Sequence, residues 1–221
     1  MSERLPLLVA NHKANLSARE VSAWIREVGN ESDDFGGTII FCPSSPFLAA
    51  AAGEISSSGY NIQLGSQDIS RFEKGAHTGE VAASQIADIV RYTIVGHSER
   101  RRDFGEDDKT LEEKVKIARS AGIEPIFCIQ DAKTPIPEGV KIVAYEPPSA
   151  IGTNNPDSPE NVKQVVESVQ DKGNYIVLYG GSVSPDNVAT FFKEANVNGV
   201  LVGATNSLDP QKFILILKAA S

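Results

Sequence analysis

The stretch IVAYEPPSAIGT, residues 142–153, shows the pattern that decides the fold. An apolar run ends in a single carboxylate, Glu146, and two prolines and a small, glycine-bearing segment follow it. A charge at the end of a buried strand is costly when it is unpaired. The carboxylate therefore indicates either an ion pair at a strand end or a catalytic base beside a mobile loop.

The same order of apolar run and polar turn recurs along the chain. Near-continuous apolar, β-branched runs of this length are typical of parallel strands that are buried on both faces, and helical patterns lie between most of them. The eight runs are LPLLVAN, GTIIFCP, YNIQLGS, YTIVGHS, EPIFCIQ, KIVAYEP, YIVLYGG and NGVLVGA.

Helix signals separate these strands. Ser17 is a candidate N-cap for a helix over residues 17–28, and a second apolar helical pattern covers residues 107–121. Pro159 stands where a first helical residue is expected, and the segment SPDNVATFFKEAN, residues 184–196, repeats this Ser-Pro start. The segment LDPQKFILILKAA predicts a helix near the end of the sequence.

About eight strands alternating with helices predict a (β/α)8 barrel, with a doubly wound open sheet as the alternative. The regular spacing and the polar residues just after the strands favour the barrel. No linker-like tract interrupts residues 1–221, so one domain is expected.

One connection breaks the regular spacing. Only DAKTPIPEGV lies between the fifth and sixth strands, and Pro135 and Pro137 are incompatible with a helix interior. We therefore expect the fifth helix to be absent or reduced to a turn, which would leave part of the barrel wall less covered.

Composition restricts the possible partners. The net charge of -8 argues against a nucleic-acid or membrane binder, although a local site can still be positive. Two cysteines, Cys42 and Cys128, are too few for a disulfide framework and are expected to be reduced. The start of the sequence has no long apolar segment, and no run is long enough to span a membrane, so a cytoplasmic protein is expected.

The residues after the strands form a chemically coherent set. Lys13 supplies positive charge, His97 can polarise a carbonyl, and Glu146 can remove a carbon-bound proton. Turns of small residues with free backbone N–H groups can hold a phosphate. This set suits a small phosphorylated carbonyl compound. Its members are Asn11, Lys13, His97, Glu99, Glu146, Gly181, Ser182, Gly203 and Ala204.

Six motifs in the same order resemble the triosephosphate isomerase family: NHK, GAHTGEV, IVGHSERR, AYEPPSAIGT, YGGSV and LVGA. They cover nearly the whole chain. The resemblance implies an isomerase of glycolysis and gluconeogenesis that interconverts dihydroxyacetone phosphate and glyceraldehyde 3-phosphate through an enediolate. It also implies that the reaction uses no metal and no organic cofactor.

The resemblance assigns a role to each catalytic candidate. Glu146 moves the proton between the two carbons of the substrate. His97, kept neutral, acts as the electrophile and moves protons between the two oxygens of the enediolate. Lys13 offsets negative charge, Asn11 orients the substrate, and Glu99 supports Lys13.

The resemblance also implies a phosphate site and a lid from Pro147 to roughly Asp157. Ile151 and Leu201 are similar to the apolar clamp over the carboxylate, and Tyr179 and Ser182 to the latch of the lid. The phosphate-binding amides are those of Gly152, Ser182, Gly203 and Ala204, and the lid includes Pro147, Pro148, Ser149, Ala150, Ile151 and Thr153.

Several positions depart from the family pattern. The family usually has an aromatic residue where His12 stands, and we expect His12 and His77 to be structural or interface residues. Glycines are usual where Asn154 and Ala204 stand. A Val-Trp pair is usual where Pro148 and Ser149 stand, so the lid lacks a bulky hinge side chain.

The segment from Phe72 to Val81 resembles the protruding third loop of the family. The resemblance implies that Thr78 and Glu80 belong to a loop that reaches the partner subunit near Asn11 and Lys13. A symmetric homodimer is therefore expected. A tetramer would follow if contact buried a wall that the missing fifth helix leaves exposed.

Two other functions compete. A phosphate-binding aldolase or lyase on the same barrel needs a Schiff-base lysine, and Lys141 precedes its strand rather than following it. A catalytically weakened or binding-only homologue with an altered lid is the second alternative. Retention of Asn11, Lys13, His97 and Glu146 argues against decay.

Overall fold

The structure is a closed barrel of eight parallel strands in chain order, in which β8 returns to pair with β1. The computed structural model describes residues 3–221, apart from the side chain of Ala204. The closed sheet confirms the predicted (β/α)8 barrel and is incompatible with the open sheet. The strands are β1 Leu7–Asn11, β2 Thr38–Cys42, β3 Ile62–Ser66, β4 Tyr92–Val95, β5 Glu124–Ile129, β6 Ile142–Tyr145, β7 Ile176–Tyr179 and β8 Gly199–Val202.

Helices surround the barrel, and local sequence starts several of them. Ser17 and Glu20 form a capping box, and the Asp107 side chain accepts a hydrogen bond from the N–H of Thr110. Pro159 occupies the first turn of its helix, as predicted. The helices are α1 Ala18–Gly29, α2 Leu48–Ser58, α3 Ala83–Ile86, α4 Ser98–Asp103, α5 Asp108–Ser120, α6 Pro159–Gln170, α7 Val188–Glu194, α8 Ala204–Leu208 and α9 Pro210–Ala219.

The core has two layers because successive strand residues point to opposite faces of the sheet. The inner layer fills the barrel, and the outer layer lies between the strands and the helices. Filling the barrel makes it a packed core rather than a pore, so the ends of the strands hold the chemistry. The inner layer consists of Leu7, Val9, Ile40, Cys42, Tyr92, Ile94, Ile126, Cys128, Ile142, Ala144, Leu178 and Leu201.

The predicted Ser-Pro start of α7 is wrong. Pro185 lies in a turn, and α7 begins at Val188. The Asn187 side chain explains the delay: it accepts a hydrogen bond from Ser184 N at 2.8 Å and donates one to Ser182 O at 3.1 Å. These bonds fold the segment back towards the end of β7 before a helix can begin.

The expectation of a less covered barrel wall is also wrong. Residues 130–141 between β5 and β6 contain turns and no helix. Val140 is buried in the outer layer, and Ile136 packs against that layer. The outward-facing side chains of both strands are buried within this chain, so they offer no apolar wall for a tetramer to cover. They are Phe127, Ile129, Val143 and Tyr145.

Candidate active site

The predicted base and electrophile meet at the carboxyl ends of β4 and β6. Glu146 Oε1 lies 3.3 Å from His97 Nε2, and Glu146 Oε2 accepts a hydrogen bond from the N–H of Ser98 at 3.2 Å. Glu146 is only 1% exposed. Burial of the Cys128 thiol, with Glu146 nearby, raises the pKa of Cys128 well above its usual value. The thiol therefore stays protonated beside the carboxylate.

The position of His97 at the start of α4 determines its tautomer. His97 is the N-cap of α4, and its Nδ1 accepts a hydrogen bond from the N–H of Glu99 at 3.2 Å. An accepting Nδ1 carries no proton, so the neutral ring carries its proton on Nε2. That N–H points to the carboxylate of Glu146 and to the cavity that both residues line.

Lys13 is held in a strained backbone conformation. Its φ of 50° lies in the left-handed region, which costs a non-glycine residue about 1–3 kcal/mol. Three hydrogen bonds fix this conformation: Lys13 N donates to Asn11 Oδ1, and Lys13 O accepts from Ser44 Oγ and Gln67 Nε2. The side chain is therefore aimed into the site, where Lys13 Nζ lies 2.5 Å from Glu99 Oε1.

A second group of residues from the loops after β6, β7 and β8 also lines the cavity. Gly152 and Ser182 have φ values of 69° and 50°, and Gly203 caps α8. A Cβ on Gly180 would lie 3.1 Å from Glu146 Cγ, so only glycine leaves the base its present room. Helix α8 begins at Ala204, but the Ala204 side chain lies outside the described residues.

Two hydrogen bonds fasten the segment from Pro147 to Asp157, the predicted lid. Ser182 Oγ donates a hydrogen bond to Ala150 O at 2.5 Å, and the N–H of Asp157 donates to the Tyr179 hydroxyl at 2.8 Å. The Asp157 carboxylate also accepts from the Tyr145 hydroxyl at 3.1 Å, so the far end of this segment is tied to the residue before Glu146. Burial raises the pKa of Tyr179 to about 12, which keeps its hydroxyl neutral.

The structure brings eight of the nineteen predicted site residues around one cavity, whereas Pro147, Pro148, Ser149, Ala150, Thr153 and Tyr179 do not line it. Asn11 and Glu99 line a neighbouring cavity that shares Lys13 and His97 with it. Thr78 and Glu80 are exposed on their loop and line neither cavity. The main cavity is lined by Lys13, His97, Glu146, Ile151, Gly152, Asn154, Gly180, Ser182, Val183, Leu201, Gly203, Thr205 and Asn206.

Sequence reasoning names Asp157 only as the approximate end of the lid, and it does not select Thr205 and Asn206. Asn206 Nδ2 donates to Val183 O at 2.8 Å and so joins the loops after β7 and β8. A polar residue just beyond a strand-end glycine is the available signal for Thr205 and Asn206, but the sequence contains nothing that pairs Asp157 with Tyr145.

Two general features complete the description. Within residues 3–221, no group of three or more His, Cys, Asp and Glu side chains is arranged to hold a metal ion. No helix in this part of the chain is both long and apolar enough to cross a membrane.

A closed (β/α)8 barrel with a carboxylate, an imidazole N–H and a lysine at its carboxyl end defines a class of protein, the barrel enzymes that move protons on small substrates. A family model described as triosephosphate isomerase matches residues 6–220. The chain belongs to the triosephosphate isomerase family and is an isomerase.

Individual relatives agree with the family model. The triosephosphate isomerase of Halorhodospira halophila is 35% identical, covering 89% of this chain and 92% of its own. That of Symbiobacterium thermophilum is 32% identical, covering 99% and 98%. The enzyme of Gluconacetobacter diazotrophicus is 37% identical, covering 82% and 84%. The family indicates a phosphorylated triose as substrate.

Proposed function

We propose that Glu146 is the base that moves the proton in the interconversion of dihydroxyacetone phosphate and glyceraldehyde 3-phosphate. The contact that carries this proposal is the 3.3 Å approach of Glu146 Oε1 to His97 Nε2 inside one cavity. The carboxylate takes a proton from one carbon, and the His97 N–H donates to the oxygen on which negative charge develops. The ring then recovers a proton from the hydroxyl on the carbon that lost its proton, and Glu146 returns its proton to the other carbon. The isomerisation is then complete without net gain or loss of atoms or electrons.

Lys13 supplies the positive charge that this enediolate requires. Its Nζ is paired with Glu99 but lies at the border of both cavities, within reach of an anionic substrate. Asn11 orients substrate indirectly, because its side chain fixes the strained backbone of Lys13. Glu99 supports Lys13 through the ion pair and His97 through its backbone N–H.

The phosphate of the substrate would lie at the turns that follow β6, β7 and β8. Gly152, Ser182 and Gly203 bring backbone from three loops to this place, and Ala204 follows directly. Ile151 and Leu201 add apolar surface over the base, which excludes water and strengthens the electrostatic contacts inside.

The direct test of the function is an assay with glyceraldehyde 3-phosphate, in which a coupled dehydrogenase reports dihydroxyacetone phosphate. We expect rapid turnover and competitive inhibition by inorganic phosphate. Turnover no faster than that of a variant without the base would contradict the proposal and favour a binding-only homologue. Formation of a borohydride-trapped lysine adduct would favour the aldolase alternative.

The lid fastening predicts how the enzyme partitions its intermediate. In Tyr179→Phe the N–H of Asp157 loses its acceptor, so the lid opens more often and water reaches the enediolate. We expect inorganic phosphate released per isomerisation to rise about tenfold, which corresponds to one lost hydrogen bond of ordinary strength. Phosphate release is measured beside turnover with the same substrate.

Tyr145→Phe is the matched comparison for that experiment. It removes a hydroxyl that contacts the Asp157 side chain rather than its backbone, so we expect a smaller increase in released phosphate. Equal phosphate release from wild type and Tyr179→Phe would show that this contact does not retain the intermediate.

We further propose a homodimer formed through the segment from Phe72 to Val81. This segment is exposed along residues 72–80, and Phe72 stacks on His77 with ring centroids 4.2 Å apart, which stiffens the loop. The cavity beside Lys13 has a volume of about 240 Å³ and carries the exposed Phe104 at its rim. In the proposed dimer, a partner loop carrying Thr78 and Glu80 would enter this cavity and cover Phe104.

Blocking either side of the proposed contact should give a monomer. We expect Thr78→Arg and Phe104→Asp each to convert a dimer into a species of 23.7 kDa by light scattering. Activity should fall about tenfold or more, because a charge buried without a partner would separate the subunits and remove the partner loop from the edge of the proposed site. Leu215→Asp, which changes another exposed apolar residue on α9, is the control and should stay dimeric.

A wild-type monomer with full activity would contradict the dimer.

We also propose that the chain forms a single domain, since all eight strands belong to one closed sheet. A cytoplasmic location is proposed because both cysteines are free and buried.

A further inference from the structure

His12 lies between two residues of the proposed site but points away from it. Its ring is 1% exposed, and His12 Nε2 lies 3.0 Å from the carbonyl oxygen of Ser207 in α8. The rings of Trp24 and Phe41 pack against it in T-shaped geometry at centroid distances of 4.9 and 4.7 Å. The Trp24 indole N–H donates to the same Ser207 oxygen at 2.9 Å. The contacts with Ser207, Trp24 and Phe41 therefore hold the His12 ring in one orientation.

The hydrogen bond decides the state of the ring. A carbonyl oxygen only accepts, so His12 Nε2 must carry the proton and Nδ1 is the bare nitrogen. Nδ1 is buried and has no hydrogen-bond partner within the described residues. A cationic ring would carry a second N–H, on Nδ1, that has no acceptor within the described residues. His12 is therefore neutral and donates only through Nε2.

The Ser207 contact joins two parts of the active site that are far apart in sequence. Helix α8 contributes Thr205 and Asn206 to the lining of the cavity, and Gly203 precedes it. Lys13 follows His12 directly, and a Cβ on Gly203 would lie 3.4 Å from Lys13 Cε. Any shift of α8 relative to the strained Lys13 turn would change the width of the cavity at this place.

We propose that His12 is a positioning residue that fixes α8 against the Lys13 turn and so sets the width of the anion-binding end of the cavity. This inference deepens the proposed function and rests on it, because it assumes that the substrate phosphate lies between Lys13 and the Gly203 turn. His12 itself touches no reacting atom. Its effect on catalysis passes through the backbone on either side.

Two variants separate the hydrogen bond from the packing. His12→Phe keeps an aromatic ring among Trp24 and Phe41 but removes the donor, whereas His12→Gln keeps an N–H donor at a similar reach. In His12→Phe we expect KM for glyceraldehyde 3-phosphate and the inhibition constant of inorganic phosphate to rise together, each about fivefold, with a smaller change in kcat. His12→Gln should restore the inhibition constant towards the wild-type value.

The outcomes are distinct. An unchanged inhibition constant in His12→Phe would overturn the inference, as would equal losses of kcat in both variants without a change in phosphate binding. If wild type neither turns over the triose phosphate nor binds inorganic phosphate, the proposed function itself fails. The inference is supported if the enzyme is active and the inhibition constant of inorganic phosphate rises in His12→Phe but not in His12→Gln.

The stability of the protein in acid supplies a second readout. Burial lowers the pKa of His12 to about 4, and the groups packed on the ring, Trp24, Phe41 and Ser207, carry no charge. The unfolded chain binds this proton near pH 6.5 and the folded chain near pH 4, so wild type loses stability as pH falls through that window. His12→Phe lacks this loss, so its unfolding temperature relative to wild type should rise from pH 7 to pH 4.

Discussion

We expect turnover of the triose phosphate to fall by about 10³-fold when Glu146 is replaced by Gln, because positioned general bases contribute about 10²–10⁴-fold to proton transfers. The amide keeps the shape of the side chain, but its single oxygen can accept from only one of the two donors, His97 Nε2 or the N–H of Ser98. It cannot accept the carbon-bound proton. The loss should therefore appear mainly in kcat and little in the inhibition constant of inorganic phosphate.

Stability provides a check on this variant. Glu146 is 1% exposed, so its charge is costly in the folded protein, and the neutral amide should give an equal or higher unfolding temperature. Glu138→Gln, on the exposed turn between β5 and β6, makes the same change in net charge and should leave turnover unaltered. Glu146→Gln retaining more than a tenth of wild-type turnover would exclude this carboxylate as the base.

The second large effect is expected for Lys13→Met, which removes the positive charge and leaves the aliphatic stem. Loss of one well-placed charge at a developing oxyanion costs about 10²–10³-fold in rate. Because Lys13 also faces the bound phosphate in the proposed mode, KM should rise while kcat falls. Glu99 loses its partner, but its side chain is 34% exposed, so water can replace the ion pair and the fold should remain stable.

Two comparisons complete the Lys13 experiment. Lys163→Met, on the exposed face of α6, controls for the loss of one positive charge from the whole protein. Asn11→Ala leaves the charge in place but removes the acceptor for Lys13 N, so the strained turn can relax and a smaller loss is expected. A Lys13→Met enzyme with kcat/KM within tenfold of wild type would contradict an electrostatic role.

The sequence was sufficient to predict the barrel because its signals are local. Each strand is a short apolar run that is buried on both faces, and residues such as Ser17 and Asp107 cap helices within a few positions of themselves. The start of α7 was mispredicted because Asn187 ties its turn back to Ser182. Hydrogen bonds of this kind depend on the path of the chain and leave no periodic pattern.

The candidate site was only partly accessible from sequence. The residue types after the strands indicated a cation, an imidazole and a carboxylate, and the closed barrel explains why they meet. The contact between His12 and Ser207 joins residues 195 positions apart, and no spacing rule connects them. The hydrogen bond from Tyr145 to Asp157 could not be predicted for another reason. A carboxylate in a polar loop is normally solvated, so its residue type does not indicate a buried partner.

The connection between β5 and β6 shows what a crossover in this architecture has to supply. Turns containing Ile136 and Val140 cover the outer layer there. Two apolar side chains therefore bury the outer faces of these strands, as a helix does at the other crossovers. Regular hydrogen bonding along the connection is dispensable as long as its backbone can reach water. A smaller artificial barrel could therefore be shortened at other crossovers, if each new turn kept two branched side chains directed at the sheet.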